Sequence, residues 1–343
     1  MTTGEESEHK NLAYYRNCFS QINVGKNEEG GDALNQPILL MSVIDLIAQG
    51  FIEENKITIS DELSNTFDKY WSVLNPNSLT KGNKRNKGNL AIAFFHLKPT
   101  KSQLPTKFWY VKFSAQYKKG RPSTIKTLKR DVDRAELDDE LFNLLQDTNA
   151  RQELIDILIS TWFLSTNKPS GDILKINQSF LDFTVDKLDT IESGKTDRPP
   201  KVYSRKSVVR EAFFRKSVVH LYDYRCAFCR LKVVTPSLSQ SIVDGAHIKP
   251  FSEFYDNRPD NGLSLCKNHH WAFDRGWFAV DDRYQIIVDS DLQEDSPHAR
   301  LMKEFHGELI LLPSSEKDYP RKDALQWHRK NVFTLKSKGR TRK

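Results

Sequence analysis

Two short pairs of metal-binding residues near the C-terminal end constrain the fold of this 343-residue chain more than any other feature. Cys226 and Cys229 form one pair, Cys266 and His269 the other, each with two residues between its members. That spacing lets both members reach one ion from a tight knuckle turn, and the four together satisfy tetrahedral zinc as a Cys3His set. With every position taken by protein, such a zinc is structural and has no open site for catalysis. The chain holds four cysteines, and the remaining one, Cys18, stands alone. Clustered thiols of this kind read as ligands rather than as a disulfide framework. The polar, acidic start from Met1 to Lys10 does not read as a signal peptide. No stretch approaches the roughly 20 apolar residues of a membrane helix. The expected setting is therefore the reducing cytoplasm, with no membrane partner.

Lys and Arg outnumber Asp and Glu by 52 to 45, a formal charge of +7. A basic surplus suits a polyanionic partner, because neutralising phosphates releases condensed counterions. Charge alone does not single out nucleic acid, since many proteins are mildly basic.

The length suggests about two domains. From Pro37 to Ile47 the chain is apolar nearly all round and Gly50 follows, which predicts a buried helix stopped by glycine. Asp61 to Leu74 carries Leu63, Phe67, Tyr70, Trp71 and Leu74 at helical spacing, and Ile57 to Ile59 reads as a short extended segment. Leu90–Leu97 and Phe108–Phe113 are expected to pair as strands across a proline-containing turn. Helical periodicity returns at Asp138–Leu145, Ala150–Leu164 and Ile173–Ile191. Gly194, Pro199 and Pro200 mark a linker at 192–204, separating a domain at 11–191 from one at 205–335, with a basic tail at 336–343. Ser207 to Tyr222 reads as a helix leading into the cysteine cluster.

Between and after the ligand pairs stand Asp244-Gly245-Ala246-His247-Ile248, Pro259-Asp260-Asn261-Gly262-Leu263 and, directly after the last ligand, His270. This order of histidine, asparagine and histidine resembles the HNH, or ββα-metal, nuclease family, and Phe273-Asp274-Arg275-Gly276-Trp277-Phe278 is typical of one of its subgroups. The resemblance covers Ser207 to Ser290. It implies DNA hydrolysis at His247, Asn261 and His270. A neutral histidine can accept a proton from water at physiological pH, so His247 is the expected general base. Asn261 does not titrate and would orient the imidazole. His270, with a carboxylate, would hold a catalytic Mg2+ or Mn2+ ion on the scissile phosphate. Many members place an aspartate directly before the first histidine, where this chain has Ala246. Asp244 lies on the same face of a regular strand as residue 246 and is the expected substitute, with Asp274 as the other option.

Farther upstream, Pro37, Ile44 to Ile47, Asn55 to Ile57, Phe67 to Trp71, Phe94 to Leu97 and Phe108-Trp109 resemble an N-terminal domain of HNH restriction enzymes, over residues 15–165. Some members of that group read modified DNA, including phosphorothioate, and restriction serves phage defence. Two departures stand out. The family's Pro-His-Lys-Pro is Leu34-Asn35-Gln36-Pro37 here, and Ala93 replaces a proline. Backbone contacts to DNA are expected from two basic loops, Lys81, Lys84, Arg85 and Lys87, and Lys118, Lys119 and Arg121.

The expectation is an α+β chain: a mixed, largely helical DNA-recognition domain followed by a zinc-stapled ββα-metal nuclease domain. One HNH site cuts one strand, so double-strand cleavage of duplex DNA calls for a homodimer or two successive nicks. Two other readings stand open on the sequence, a type II-like enzyme cutting unmodified sites and a catalytically silent zinc-dependent DNA-binding protein.

Overall fold

The computed structural model describes residues 10–26, 32–74, 88–97, 108–117, 120–163, 174–180, 207–235 and 240–333. The expected linker, the C-terminal basic tail and the basic residues Lys81, Lys84, Arg85, Lys87, Lys118 and Lys119 lie outside these. The chain divides into two compact units, one taking the described residues up to 163 with 207–209, the other 174–180 and those from 210 onward. Among the described residues no helix is long and apolar enough to cross a membrane.

The first unit opens with α1 (Leu12–Ser20), capped by Asn11, and a two-residue hairpin of β1 (Gly25–Lys26) and β2 (Asp32–Ala33). Its centre is α2 (Asn35–Ala48), buried continuously from Gln36 to Ile47. A helix apolar on all sides belongs inside a core, and α2 packs against α3 (Asp61–Leu74), α4 (Leu90–His96) and α7 (Thr148–Trp162). Gly50, at φ +73°, ends α2 in the left-handed conformation that glycine adopts without steric cost.

The expected strand pairing is corrected here. Leu90–His96 is the helix α4, with the Asn89 side chain accepting from the Ile92 amide at 2.9 Å. Leu90, Ala91, Ala93, Phe94 and Leu97 are buried, which is helical rather than alternating spacing. Apolar residues on nearly every position made the run resemble a strand, but the two alanines and the capping asparagine favour helix. The partner of β3 (Trp109–Phe113) is instead β4 (Val132–Leu137), antiparallel, reached through α5 (Ile125–Asp131) and its Thr124–Thr127 capping box. Ile57 adds a bridge to Ala135 through two 2.8 Å hydrogen bonds, as its extended reading implied. α6 (Asp139–Leu144) follows, and buried Asp138 before it accepts from Lys10, Tyr15 and Tyr110.

The second unit contains α8 (174–180), α9 (Val208–Leu221, whose first two residues cluster with the first unit), β5 (Val243–His247), α10 (Phe251–Phe254), β6 (Gly262–Cys266) and α11 (Lys267–Asp274). A hairpin of β7 (Phe278–Val280) and β8 (Ile286–Val288), then α12 (Lys322–His328), complete it. β5 and β6 pair antiparallel, with Val243 opposite Cys266 and His247 opposite Gly262. Helix α11 starts where β6 ends, which gives the ββα order the sequence implied.

Two glycines set how closely α9 lies on that strand pair. A Cβ on Gly245 would stand 2.8 Å from the Arg215 Cα and 2.9 Å from its carbonyl oxygen. One on Gly262 would collide with Val218 and meet Phe214 at 3.1 Å. The helix backbone thus rests directly on the strands, on the face that also carries His247.

Candidate active site and metal centre

The ligand atoms of Cys226, Cys229, Cys266 and His269 all lie within 4.8 Å of one another. Nδ1 of His269 is 3.0 Å from the Cys266 sulfur and 3.7 Å from that of Cys226. Ligands at about 2.0–2.3 Å around a tetrahedral ion stand roughly 3.8 Å apart or less, a spacing that both His269 distances meet, and the donor set is that of structural zinc. Its electrostatics call for a cation. The Cys226 thiol is pushed up by its hydrogen bonds with Cys229 and Cys266 and by burial. Cys266 is held far down by hydrogen bonds from Cys226 and Cys229. Burial pulls His269 down, but its bonds to Cys229 and Cys266 carry it up to about 9. Negative charge shared among crowded sulfurs is what a divalent ion would neutralise. Phe228 stacks on His269 at 4.2 Å and seals the cluster against the core.

The same frame presents the site residues. His247 ends β5, its ring stacked on Phe214 at 3.8 Å and 11°. Burial is the main reason its pKa drops to about 4; the Asn257 contact opposes this and the charge of Arg215 adds to it. The imidazole is therefore neutral throughout the physiological range.

The asparagine expected to orient that ring does something else. Asn261 is fully buried and closes the loop between the strands. Its Oδ1 accepts from the Lys249 amide at 3.0 Å, and its Nδ2 donates to the carbonyls of Lys249 at 3.1 Å and Asp256 at 3.0 Å. The carboxamide against His247 belongs to Asn257, whose Oδ1 is 2.8 Å from Nε2. Sequence reasoning missed Asn257. Its only signal was a second asparagine four positions before Asn261, in a loop too irregular for spacing to say which side chain turns inward. Tyr255, at φ +52°, turns the chain there.

His270 lies on α11 with Nε2 3.6 Å from Asp274 Oδ2. Asp244 is opposite Leu265 on the strand pair, and its carboxylate is drawn on by Arg215 at 3.6 Å and Lys267 at 3.3 Å. Burial acts to raise the Asp244 pKa, but Arg215, Lys267 and His270 outweigh it and hold the group ionised. For Asp274 burial prevails over His270 and Arg275, and the carboxyl is raised. Carboxylate oxygen is a fitting donor for magnesium or manganese, and imidazole nitrogen is a softer donor that suits divalent transition metals. Of the two carboxylates, Asp244 is the one whose ionised form its neighbours favour, while Asp274 is the one 3.6 Å from the His270 ring.

Of the expected DNA contacts, Arg121 is the one among the described residues, and it is exposed. Nearby, Lys129 pairs with Asp61 at 3.3 Å and Arg130 forks onto Asp131 at 2.7 and 2.8 Å, so both already have partners.

One known family matches the stretch that carries this geometry. The HNH endonuclease family model matches residues 226–281, the stretch from the first cysteine ligand to the strand after α11. Among solved structures, the modification dependent TagI restriction endonuclease is similar at 20% identity with a TM-score of 0.28. That match covers 38% of this chain and 44% of the other, so the chain spans less than half of that structure's length. No curated protein matches the chain. Residues 226–281, with the ββα unit and both ligand pairs, belong to the HNH endonuclease family.

Proposed function

We propose that the protein is a restriction-type DNA endonuclease, directed by its N-terminal domain to modified DNA, and that it acts in the cytoplasm against invading phage DNA. The observation that carries the nuclease chemistry is the neutral imidazole of His247, stacked on Phe214 and held at Nε2 by Asn257, in the unit that holds the Cys3His cluster. His247 takes the proton of the attacking water, and a base whose pKa lies well below neutrality is ready to do so in every molecule at pH 7. Asn257 keeps the ring in place, and Asn261 holds the loop that presents Asn257.

His270 with Asp244 would hold Mg2+ or Mn2+, Asp274 being the alternative carboxylate. When bound, that ion supplies the positive charge that stabilises the scissile phosphate and the leaving oxygen. Lys267, largely exposed at the start of α11, would neutralise a neighbouring phosphate. Zinc at Cys226, Cys229, Cys266 and His269 would fasten the strands to the helix and take no part in the reaction.

One such site cuts one strand, so two copies would act on duplex DNA for a double-strand break. The reading of modified DNA is supported by the sequence resemblance over residues 15–165 alone. The test is cleavage of matched plasmids carrying no modification, methylcytosine, hydroxymethylcytosine or phosphorothioate, with Mg2+ or Mn2+ and His247→Ala as control. Cleavage confined to one modified plasmid and abolished by the substitution is expected. Equal cutting of all plasmids would remove the modification dependence, and activity surviving in His247→Ala would remove the mechanism.

A further inference from the structure

We propose that Arg321, in the segment beyond the matched HNH stretch, is a positioning residue that fixes the tautomer of His247, so that Nε2 carries the proton and Nδ1 is the basic atom. The inference rests on the reading of His247 as the base.

The contacts run in an unbroken chain. Arg321 donates from Nη2 to Asp256 Oδ2 at 2.6 Å, and its Nε lies 3.3 Å from Asp260 Oδ1. Its backbone amide donates to the Asp260 carbonyl at 2.9 Å. One residue thereby spans both ends of the 256–260 loop. Asp256 is fixed from the other side by Arg258, through Nε at 3.0 Å and Nη2 at 2.8 Å, and its carbonyl accepts from Asn261. Asn257 sits inside this bracket, 1% exposed, with its carbonyl accepting from Asn177 at 3.3 Å and its Oδ1 turned to His247.

An amide oxygen can only accept, so its partner Nε2 must carry the hydrogen, and a neutral imidazole then has its lone pair on Nδ1. The tautomer is set by the hydrogen bond that the other nitrogen makes. Without Arg321, the repulsion of Asp256 and Asp260 would no longer be bridged from the far side, with Arg258 alone left on the Asp256 carboxylate, and the seat of Asn257 would loosen. The segment that carries Arg321 is itself anchored. His328 of α12 stacks on Phe273 at 3.7 Å and donates from Nε2 to the Phe273 carbonyl at 3.0 Å, and Phe273 lies on the helix that carries His270.

The test uses the full chain with its metal at pH 7. Nitrogen NMR of imidazole-labelled protein, with the His247 signal identified by its loss in His247→Ala, is expected to show Nε2 protonated and Nδ1 bare. Arg321→Ala should turn this into an exchanging mixture of tautomers, and Arg321→Lys, which keeps one ion pair, should restore much of the wild-type signal. In plasmid nicking, Arg321→Ala should lower kcat by about 10–100-fold with KM unchanged, as loss of an outer-shell partner does. Asp256→Asn repeats both readouts if Arg321→Ala loses its cooperative melt.

Wild-type protein with Nδ1 protonated, or Arg321→Ala and Asp256→Asn both with an unchanged His247 signal, would overturn the inference. Should His247→Ala remain active, the assignment of the base fails, while the NMR signal still decides the role of Arg321.

Discussion

Oδ1 of Asn257 lies 2.8 Å from Nε2 of His247, while the neighbouring carboxamide of Asn261 is spent wholly on the loop backbone. Two asparagines four positions apart thus divide the work, one holding the imidazole and the other holding the loop.

This division predicts different consequences for the two residues. Asn257→Ala should keep the fold and lower kcat by about 10–100-fold, as removal of an outer-shell partner does. Asn261→Ala strips a fully buried group and leaves the Lys249 amide and two carbonyls without partners, a cost of about 1–3 kcal/mol per unsatisfied group. Urea unfolding should therefore separate them: a slightly lowered midpoint for Asn257→Ala, which unpairs one buried group, and a much lower one for Asn261→Ala, which unpairs three. Equal midpoints would contradict the division.

The depressed pKa of His247 predicts the pH profile of cleavage. Burial lowers it to about 4, so the neutral form persists down to that region and the acid limb of kcat/KM falls there rather than near the ordinary 6.5. Nicking rates at fixed Mn2+ between pH 4 and 8 check this. His247→Ala should lose on the order of 10²–10⁴-fold, the usual worth of a general base. An acid limb centred above pH 6 would mean that another group limits the reaction.

Metal removal predicts a structural rather than a catalytic failure at the Cys3His cluster. Its four ligands join the loop after α9, the end of β6 and the start of α11. Purified protein should contain one equivalent of zinc, retained in Cys18→Ser and lost in Cys229→Ser or Cys266→Ser. Stripping the ion should abolish the cooperative melt of the second unit, because binding free energy of structural zinc is folding free energy. Zinc measured by elemental analysis alongside calorimetry decides it, and full zinc content in Cys266→Ser would refute the ligand set.

Much of this site was legible in the sequence because its chemistry sits at fixed spacings. The x2 pairs follow from local geometry, and the histidines at 247 and 270 stand out through the resemblance to HNH nucleases. What stayed hidden is what spacing does not encode. The inward turn of Asn257 depends on an irregular loop with a left-handed Tyr255. The role of Arg321 depends on a contact with Asp256 sixty-five positions away. In the first unit the run at Leu90–His96 had apolar residues on nearly every position, so period 2 and period 3.6 fitted alike, and the capping Asn89 was the deciding signal. The need of α9 for glycine at both 245 and 262 is set by packing between distant segments, which spacing does not encode either.

That need predicts a cost for the smallest possible addition. In Gly245→Ala the new methyl group meets backbone atoms of Arg215, which cannot rotate aside as a flexible side chain would. Overpacking of this kind costs about 1–3 kcal/mol. It would also push α9 away from β5 and loosen the Phe214 ring stacked on His247, so nicking should fall along with stability. A thermal melt and a nicking assay on one preparation check both, and an unaltered melt would show that the close approach of α9 is dispensable.

His328 predicts how stability depends on pH. It is 2% exposed, its ring lies parallel to Phe273, and burial lowers its pKa to about 4, with Arg329 adding to the effect and the Phe273 carbonyl opposing it. In the unfolded chain an imidazole takes up its proton below about 6.5. Between these two values the unfolded state binds more protons than the folded one, so stability rises with pH. The contribution is fully present above about pH 6.5 and is lost as pH falls toward 4, amounting to about 3 kcal/mol over the window. His247 acts in the same direction, so the wild-type slope reports both groups. His328→Gln keeps a donor for the Phe273 carbonyl but has nothing to titrate. Urea midpoints from pH 4 to pH 7 should therefore fall less steeply in the variant than in the wild type, and His247→Ala combined with His328→Gln should be flatter still. If His328→Gln retained the full wild-type slope, the imidazole of α12 would have to take up its proton in the folded protein as readily as in the unfolded chain, and its burial against Phe273 would not govern this pH dependence.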